Sequence, residues 1–176
     1  MTGPASSSPT LACRATLRAV QPEDEPFLRQ VYATTRADEM ALVNWDESQK
    51  QAFLNMQFEA QHRYYQQQFQ NAQFQIVELD GRPIGRLYVD RREDEIRIID
   101  IALLPENRNS GIGSALLRNI LNEAAEAGKP VRIHVEQFNP ALRLYKRLRF
   151  SEVGSYGLYL LMEWRPGEPH ASPASG

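Results

Sequence analysis

Cysteine, concentrated positive charge and long apolar runs are all scarce in this chain, and each scarcity removes a class of protein. Cys13 is the only cysteine among 176 residues, so a disulfide framework is excluded, as is a Cys/His cluster at metal-ligand spacing. No metal site is expected, and Cys13, in an apolar-alternating stretch, reads as a strand residue. Twenty Lys and Arg against 22 Asp and Glu leave a formal charge of −2 with no dense basic run. A nucleic-acid footprint normally shows as a basic face, so nucleic acid is not an expected partner. No segment approaches the run of about 20 apolar residues that crosses a membrane. MTGPASSSPT, at residues 1–10, has neither the basic nor the apolar region of a signal peptide. The expectation is a cytoplasmic protein without a membrane partner.

What is present fits one domain: 42% hydrophobic residues in a chain of this length can bury a core. Residues 1–10 and 166–176 are rich in Pro, Ser, Gly and Ala, a composition that does not offset its own ordering entropy. Both are expected to be disordered arms around a domain spanning 11–165. Within it, Cys13 to Val20 reads as a strand and PEDEPFLRQVYATTR as a helix with an acidic first turn. From about Asp46 to Phe69 there is no Gly or Pro, and Leu54, Phe58, Tyr65 and Phe69 recur at helical spacing. Phe74–Leu79, Asp80-Gly81 and Ile84–Val89 form a hairpin signal, followed by the strand EIRIIDIALL.

SGIGSALLRNILNEAAEAG comes next, a helix with an apolar stripe (Leu116, Leu117, Ile120, Leu121, Ala124) and a Gly128 C-cap, and then the strand VRIHVE. Strand, helix, strand predicts a parallel pair within a sheet that the hairpins make otherwise antiparallel. A short helix, ALRLYKRLRF, and a last strand, GLYLLMEW, complete the chain. The fold class is α/β with a mixed, mostly antiparallel sheet.

Gly111 and Gly113 stand at the strand-to-helix junction PENRNSGIGSA. A helix N-terminus leaves amides unpaired and attracts anions, and glycines there admit a phosphate to the backbone. Arg108, Ser110 and Ser114 could add contacts. The competing reading makes Ser110 an N-cap and the glycines a means of close helix packing. A Walker A loop is excluded because Ser114-Ala115 replaces Lys-Ser/Thr after Gly113. A dinucleotide fingerprint would explain Glu136 at the end of the next strand, but its third small residue is Leu116 and the loop is too long.

IALLPENRNSGIGSALL resembles the acetyl-CoA-binding segment of the GNAT N-acetyltransferase superfamily, with Arg108, Gly111 and Gly113 at the positions of its Arg/Gln-x-x-Gly-x-Gly/Ala signature. TLRAVQPEDEPFLRQVY is similar to the family's first strand and helix, and ALRLYKRLRF to its Ala-x-x-Leu-Tyr-x-x-x-Gly-Phe junction, so the likeness spans roughly residues 13–164. The resemblance implies a GNAT fold with splayed parallel strands. It implies acetyl-CoA as cosubstrate, its pantetheine arm paired with the main chain of Ala102, Leu103 and Leu104. The pyrophosphate would be held from Arg108 through Asn109, Ser110, Gly111, Ile112 and Gly113 to Ser114. Asn109 and Ser110 depart from the usual Gly and basic residue, and Arg149 stands where a Gly normally precedes Phe150.

The same resemblance makes Tyr145 the acid that protonates the leaving thiolate, although Tyr145 also lies on an apolar stripe with Ala141, Leu144 and Leu148. Asn139 resembles a CoA-contacting Asn, and with Pro140 it equally fits a helix N-cap. For a general base the polar face of VRIHVE offers Glu136 and His134, with Asp100 on the neighbouring strand, and the competing reading of each is a solvated sheet face. A base matters by magnitude: deprotonating a Lys at neutral pH costs roughly 4.6 kcal/mol, an α-amine only about 1. Acceptor contacts are expected from Trp45, Phe58, His62, Tyr64 and Tyr65. The function implied is acyl transfer from CoA to an amine on a small molecule or a protein, with a homodimer allowed by the sheet edges. The alternatives are a CoA-binding module without turnover and a dinucleotide-binding oxidoreductase.

Overall fold

In a computed structural model of the chain, residues 10–167 are described; most of both expected arms lies outside them. The elements are α1 (Leu11–Arg14), β1 (Ala15–Ala19), α2 (Glu25–Thr35), α3 (Ala37–Ala41), α4 (Glu47–Gln68), β2 (Gln73–Leu79), β3 (Arg82–Arg91), β4 (Ile96–Leu103), α5 (Ile112–Ala127), β5 (Val131–Glu136), α6 (Leu142–Arg147), β6 (Ser151–Tyr156) and β7 (Tyr159–Trp164). Cys13 falls in the helical turn α1, so the strand begins two residues later than the alternation suggested. Short α3 and the separate strand β6 are absent from the sequence reading.

One seven-stranded sheet, in the order β1-β2-β3-β4-β5-β7-β6, carries two cores. Leu116, Leu117, Ile120, Leu121 and Ala124 of α5 are all buried against one face, together with Ile98, Ile133 and Met162. Leu28, Tyr32, Leu54 and Phe58 bring α2 and α4 against Ile76 and Tyr88 on the other. The start of α4 is fixed by a capping box, Asp46 accepting from the Gln49 amide at 2.9 Å. Gly128 ends α5 in the left-handed conformation, φ 66°.

Among the described residues only β4 and β5 run parallel, and they pair over three positions: Ile96 with Val131, Arg97 with Arg132, Ile98 with Ile133. Beyond Ile98 the strands part, while β5 continues to pair with β7 as far as Glu136 and Tyr159. The parting coincides with a bulge, since Tyr88 faces Asp100 and Val89 faces Ile98, leaving Ile99 without an opposite residue. A bulge bends its strand and raises the local twist, which turns β4 away from β5 and opens a wedge in the middle of the sheet.

Arg149 adopts φ 73°, in the left-handed region where the family motif carries Gly. An L-residue there costs about 1–2 kcal/mol, part of which glycine's extra unfolded-state entropy offsets. Arg149→Gly is therefore expected to raise unfolding stability by up to about 1 kcal/mol, measured by urea denaturation.

Candidate active site

Antiparallel pairing decides which main-chain groups of β4 face the wedge. Leu104 donates its N–H to the Ile84 carbonyl at 2.8 Å, and by alternation Ala102 also points its main chain at β3. Ile101 and Leu103 are left facing the opening. Of the three positions implied for pantetheine pairing, Leu103 has the open-edge orientation; Ile101, not singled out from the sequence, shares it. The Leu103 carbonyl accepts Arg108 Nε at 2.9 Å, and Arg108 Nη2 reaches Thr34 Oγ1 at 3.2 Å. Arg108 thus ties the loop to β4 and to the end of α2.

At the tip of the wedge the loop turns into α5. Its backbone hydrogen bonds stop at Arg108 N–H to Pro105 and resume with Ala115 N–H to Gly111 at 3.0 Å. The amides of Asn109, Ser110, Gly111, Ile112, Gly113 and Ser114 thus have no backbone acceptor outside the helix itself among the described residues. Asn109 (φ 56°) and Gly111 (φ 86°) take left-handed conformations, the kind of backbone alternation from which anion-binding nests of amides are built. Asn is among the few non-glycine residues that enter this region readily, which accounts for its tolerance there. Ser110 is not the N-cap: its hydroxyl donates to the Asn107 carbonyl at 2.6 Å, and Gly111 holds the cap position.

Close helix packing does not require Gly113 either. A Cβ there would meet only Leu144 and Leu103 methyls at 3.9 and 4.0 Å, ordinary contacts. Gly85 is the contrasting case, since its Cβ would lie 2.3 Å from the Ala102 carbonyl.

Tyr145 comes from α6, on the α5 side of the sheet. Its ring is buried in the α5 core, edge-on to Phe150 at 5.6 Å. Its hydroxyl makes no hydrogen bond among the described residues, yet it is not sealed, because the sealed side-chain polar atoms without a partner are Arg36 Nε and Arg86 Nε. Burial, and then the charge of Asp100, push the Tyr145 phenol well above its ordinary range. It therefore stays protonated at neutral pH. Asn139 accepts from the Ala141 amide at 2.9 Å and so caps the turn into α6.

The carboxylates are engaged. Asp100 Oδ2 accepts from Arg86 Nη2 at 2.8 Å and from the Tyr65 hydroxyl at 3.1 Å. Glu136, at the end of β5, pairs with Arg36 at 3.0 Å, and Arg36 also holds Glu39 at 2.8 Å. His134 is kept neutral near pH 7 by burial and by Arg97. Its Nδ1 lies 2.9 Å from Arg97 Nη1, so Nδ1 is the acceptor and Nε2 carries the proton. Of the expected acceptor aromatics, Phe58 is core, Trp45 packs on Phe53, Tyr64 is exposed, and Tyr65 reaches Asp100. His62 stacks on Phe58.

Sequence reasoning missed Arg86 and Arg36. Arg86 had a visible signal, a lone charge within the otherwise apolar ladder of the hairpin's second strand; Arg36 had none, because its partner Glu136 is 100 residues away. Among the described residues no group of three His, Cys, Asp or Glu side chains is placed to hold a metal ion, and no helix is long and apolar enough to cross a membrane.

Comparison with known proteins agrees with this architecture. No curated protein matches the chain. Among solved structures it is similar to the PaiA N-acetyltransferase of Thermoplasma acidophilum in complex with coenzyme A, at 17% identity and TM-score 0.66 over 86% of this chain and 98% of that one. The ribosomal-protein-S18-alanine N-acetyltransferase of Escherichia coli gives 18% and 0.58 over 92% and 99%. A histone acetyltransferase HPA2 and related acetyltransferase from Corynebacterium glutamicum gives 21% and 0.61 over 92% and 99%. At these identities the likeness is one of fold, and a single parallel strand pair excludes the doubly wound dinucleotide fold. The family itself is established by the sequence profile of the Acetyltransferase (GNAT) family, which matches residues 39–150: the chain belongs to the GNAT acetyltransferases.

Proposed function

We propose that the protein is an N-acetyltransferase that moves an acetyl or other short acyl group from CoA to a primary amine by direct attack in a ternary complex. The observation that carries this is the wedge between β4 and β5 and the loop beside it, whose amides have no backbone acceptor outside the helix among the described residues. An extended pantetheine arm pairs along the open edge at Ile101 and Leu103, taking over the Leu103 carbonyl from Arg108. The pyrophosphate lies on the amides of residues 109–114, with the Ser110 and Ser114 hydroxyls beside it.

In the reaction the neutral amine forms a C–N bond to the thioester carbon and the carbonyl electrons move to oxygen. Collapse of that oxyanion breaks the C–S bond, the thiolate takes a proton from the Tyr145 hydroxyl, and the resulting phenolate is reprotonated from solvent. The proton lost by the amine passes through water, with Glu136 at the rim and Asp100 deeper in the wedge as the carboxylates on that route. Both are already engaged in ion pairs, so neither stands free to receive a proton, and an amine that loses its proton easily is favoured. The same pairing is what a CoA-binding module without turnover would show, so turnover separates the two readings. The proposal extends to a cytoplasmic setting and to acceptors on small molecules or proteins.

Calorimetric titration with acetyl-CoA, with NADH as comparison, is the test of binding. Micromolar acetyl-CoA affinity with no heat from NADH is expected, followed by thiol release when polyamines, amino acids or peptide N-termini are added. Binding of NADH alone would overturn the assignment.

A further inference from the structure

Arg86, Asp100 and Tyr65 meet where the sheet opens, and stability does not account for them. Arg86 is 2% exposed. Its Nη2 donates to Asp100 at 2.8 Å and to Gln61 at 3.0 Å, while its Nε has no partner among the described residues. A buried ion pair is costly to desolvate, and apolar residues of similar volume usually hold a core at least as well. The charges therefore call for another role.

The geometry suggests one. Both donors, Arg86 and Tyr65, converge on Asp100 Oδ2. Oδ1 has no partner among the described residues and is not among the sealed atoms, so solvent reaches it. Asp100 directly follows the bulged Ile99, two residues past the last pair between β4 and β5. Its charge acts on Tyr65 from α4, on Arg86 and Tyr88 from β3, and on Tyr145 from α6. Tyr65 and Tyr145 approach from opposite faces of the sheet, and Asp100 influences both because it stands at the gap.

We propose that Asp100 Oδ1 anchors the acceptor's nitrogen, and that Arg86 and Tyr65 are positioning residues that hold the carboxylate by Oδ2 with Oδ1 toward the opening. The acceptor class is an amine that arrives as an ammonium ion. This rests on the acetyl-CoA reading of the wedge and adds the acceptor's charge to it.

Two thioethers of CoA test it without a known acceptor. S-(2-aminoethyl)-CoA ends in an ammonium group close to where the attacking nitrogen stands, and S-propyl-CoA ends in a methyl group of similar size. Calorimetry at pH 7 is expected to show the aminoethyl compound bound about tenfold more tightly, the scale of one charge-assisted hydrogen bond. In Asp100→Asn the preference falls to about one, with S-propyl-CoA affinity unchanged, as one such bond is lost. Tyr65→Phe lowers the preference partway, Arg86→Met lowers it further, and Arg86→Lys restores part of it. Binding of S-propyl-CoA certifies the fold of each variant, and Tyr65→Phe keeps the test decisive if Arg86→Met does not fold. Equal affinities in the unaltered protein, or a preference that survives Asp100→Asn, would overturn the anchor. Failure of both thioethers to bind would instead overturn the acetyl-CoA reading, and the anchor with it.

Discussion

Gly113→Glu is expected to weaken acetyl-CoA binding at least about 100-fold, equivalent to about 2.7 kcal/mol, while the protein keeps its fold. Gly113 has no positive φ to lose, and the first atom of a new side chain meets only methyl groups near 4 Å. Glu is a better helix former than Gly, and an acid in the first turn complements the helix dipole. The cost falls on the ligand. A carboxylate about 4 Å from a pyrophosphate oxygen is repelled by roughly 4 kcal/mol at an effective dielectric of 20, part of which the side chain can avoid by turning to solvent.

The companion Gly113→Ala separates fold from function by sign. It should raise stability by up to about 1 kcal/mol through helix propensity while lowering CoA affinity modestly, as the proposed seating of the pyrophosphate on this loop requires. Thermal melts and calorimetry on the same samples report both quantities. Full CoA affinity in folded Gly113→Glu would remove the pyrophosphate from this loop. Gly111→Glu is a poorer experiment, since φ 86° at Gly111 strains any side chain whatever it does to the ligand.

The parts of this site that were legible in the sequence are those set by local rules. Apolar periodicity marked α5 and β5, Asp80-Gly81 marked the hairpin, and strand-helix-strand order gave the parallel pair. Long-range geometry carried the rest. No local signal says that β5 leaves β4 after Ile98, because the bulge at Ile99 depends on the register with β3. Nor does one show β7 inserted between β5 and β6, which requires a hairpin folding back across the sheet. The Arg108 contacts reach α2, 74 residues away, so its signature position was readable while its partners were not. Alternation in TLRA suggested a strand extending back to Cys13, but α1 takes up Leu11–Arg14 instead.

Tyr145→Phe is expected to lower kcat about 100-fold, the lower end for loss of a general acid, with CoA affinity and stability close to unchanged. Phe fills the same buried volume and keeps the edge-on contact with Phe150 at 5.6 Å, so stability should move by less than about 1 kcal/mol. The hydroxyl bonds to nothing among the described residues, and its removal strands no partner. A core tyrosine selected only for packing would give it up at no loss of rate. Because burial raises this phenol above its ordinary range, it remains a donor throughout the pH range in which the fold is handled. The rate deficit of Tyr145→Phe should then be constant across neutral and mildly alkaline pH, without a limb that belongs to tyrosine ionisation. Single-turnover thiol release, with acetyl-CoA bound beforehand so that chemistry is observed directly, is the measurement. An unaltered single-turnover rate would return Tyr145 to the core and leave solvent as the source of the proton that the thiolate takes.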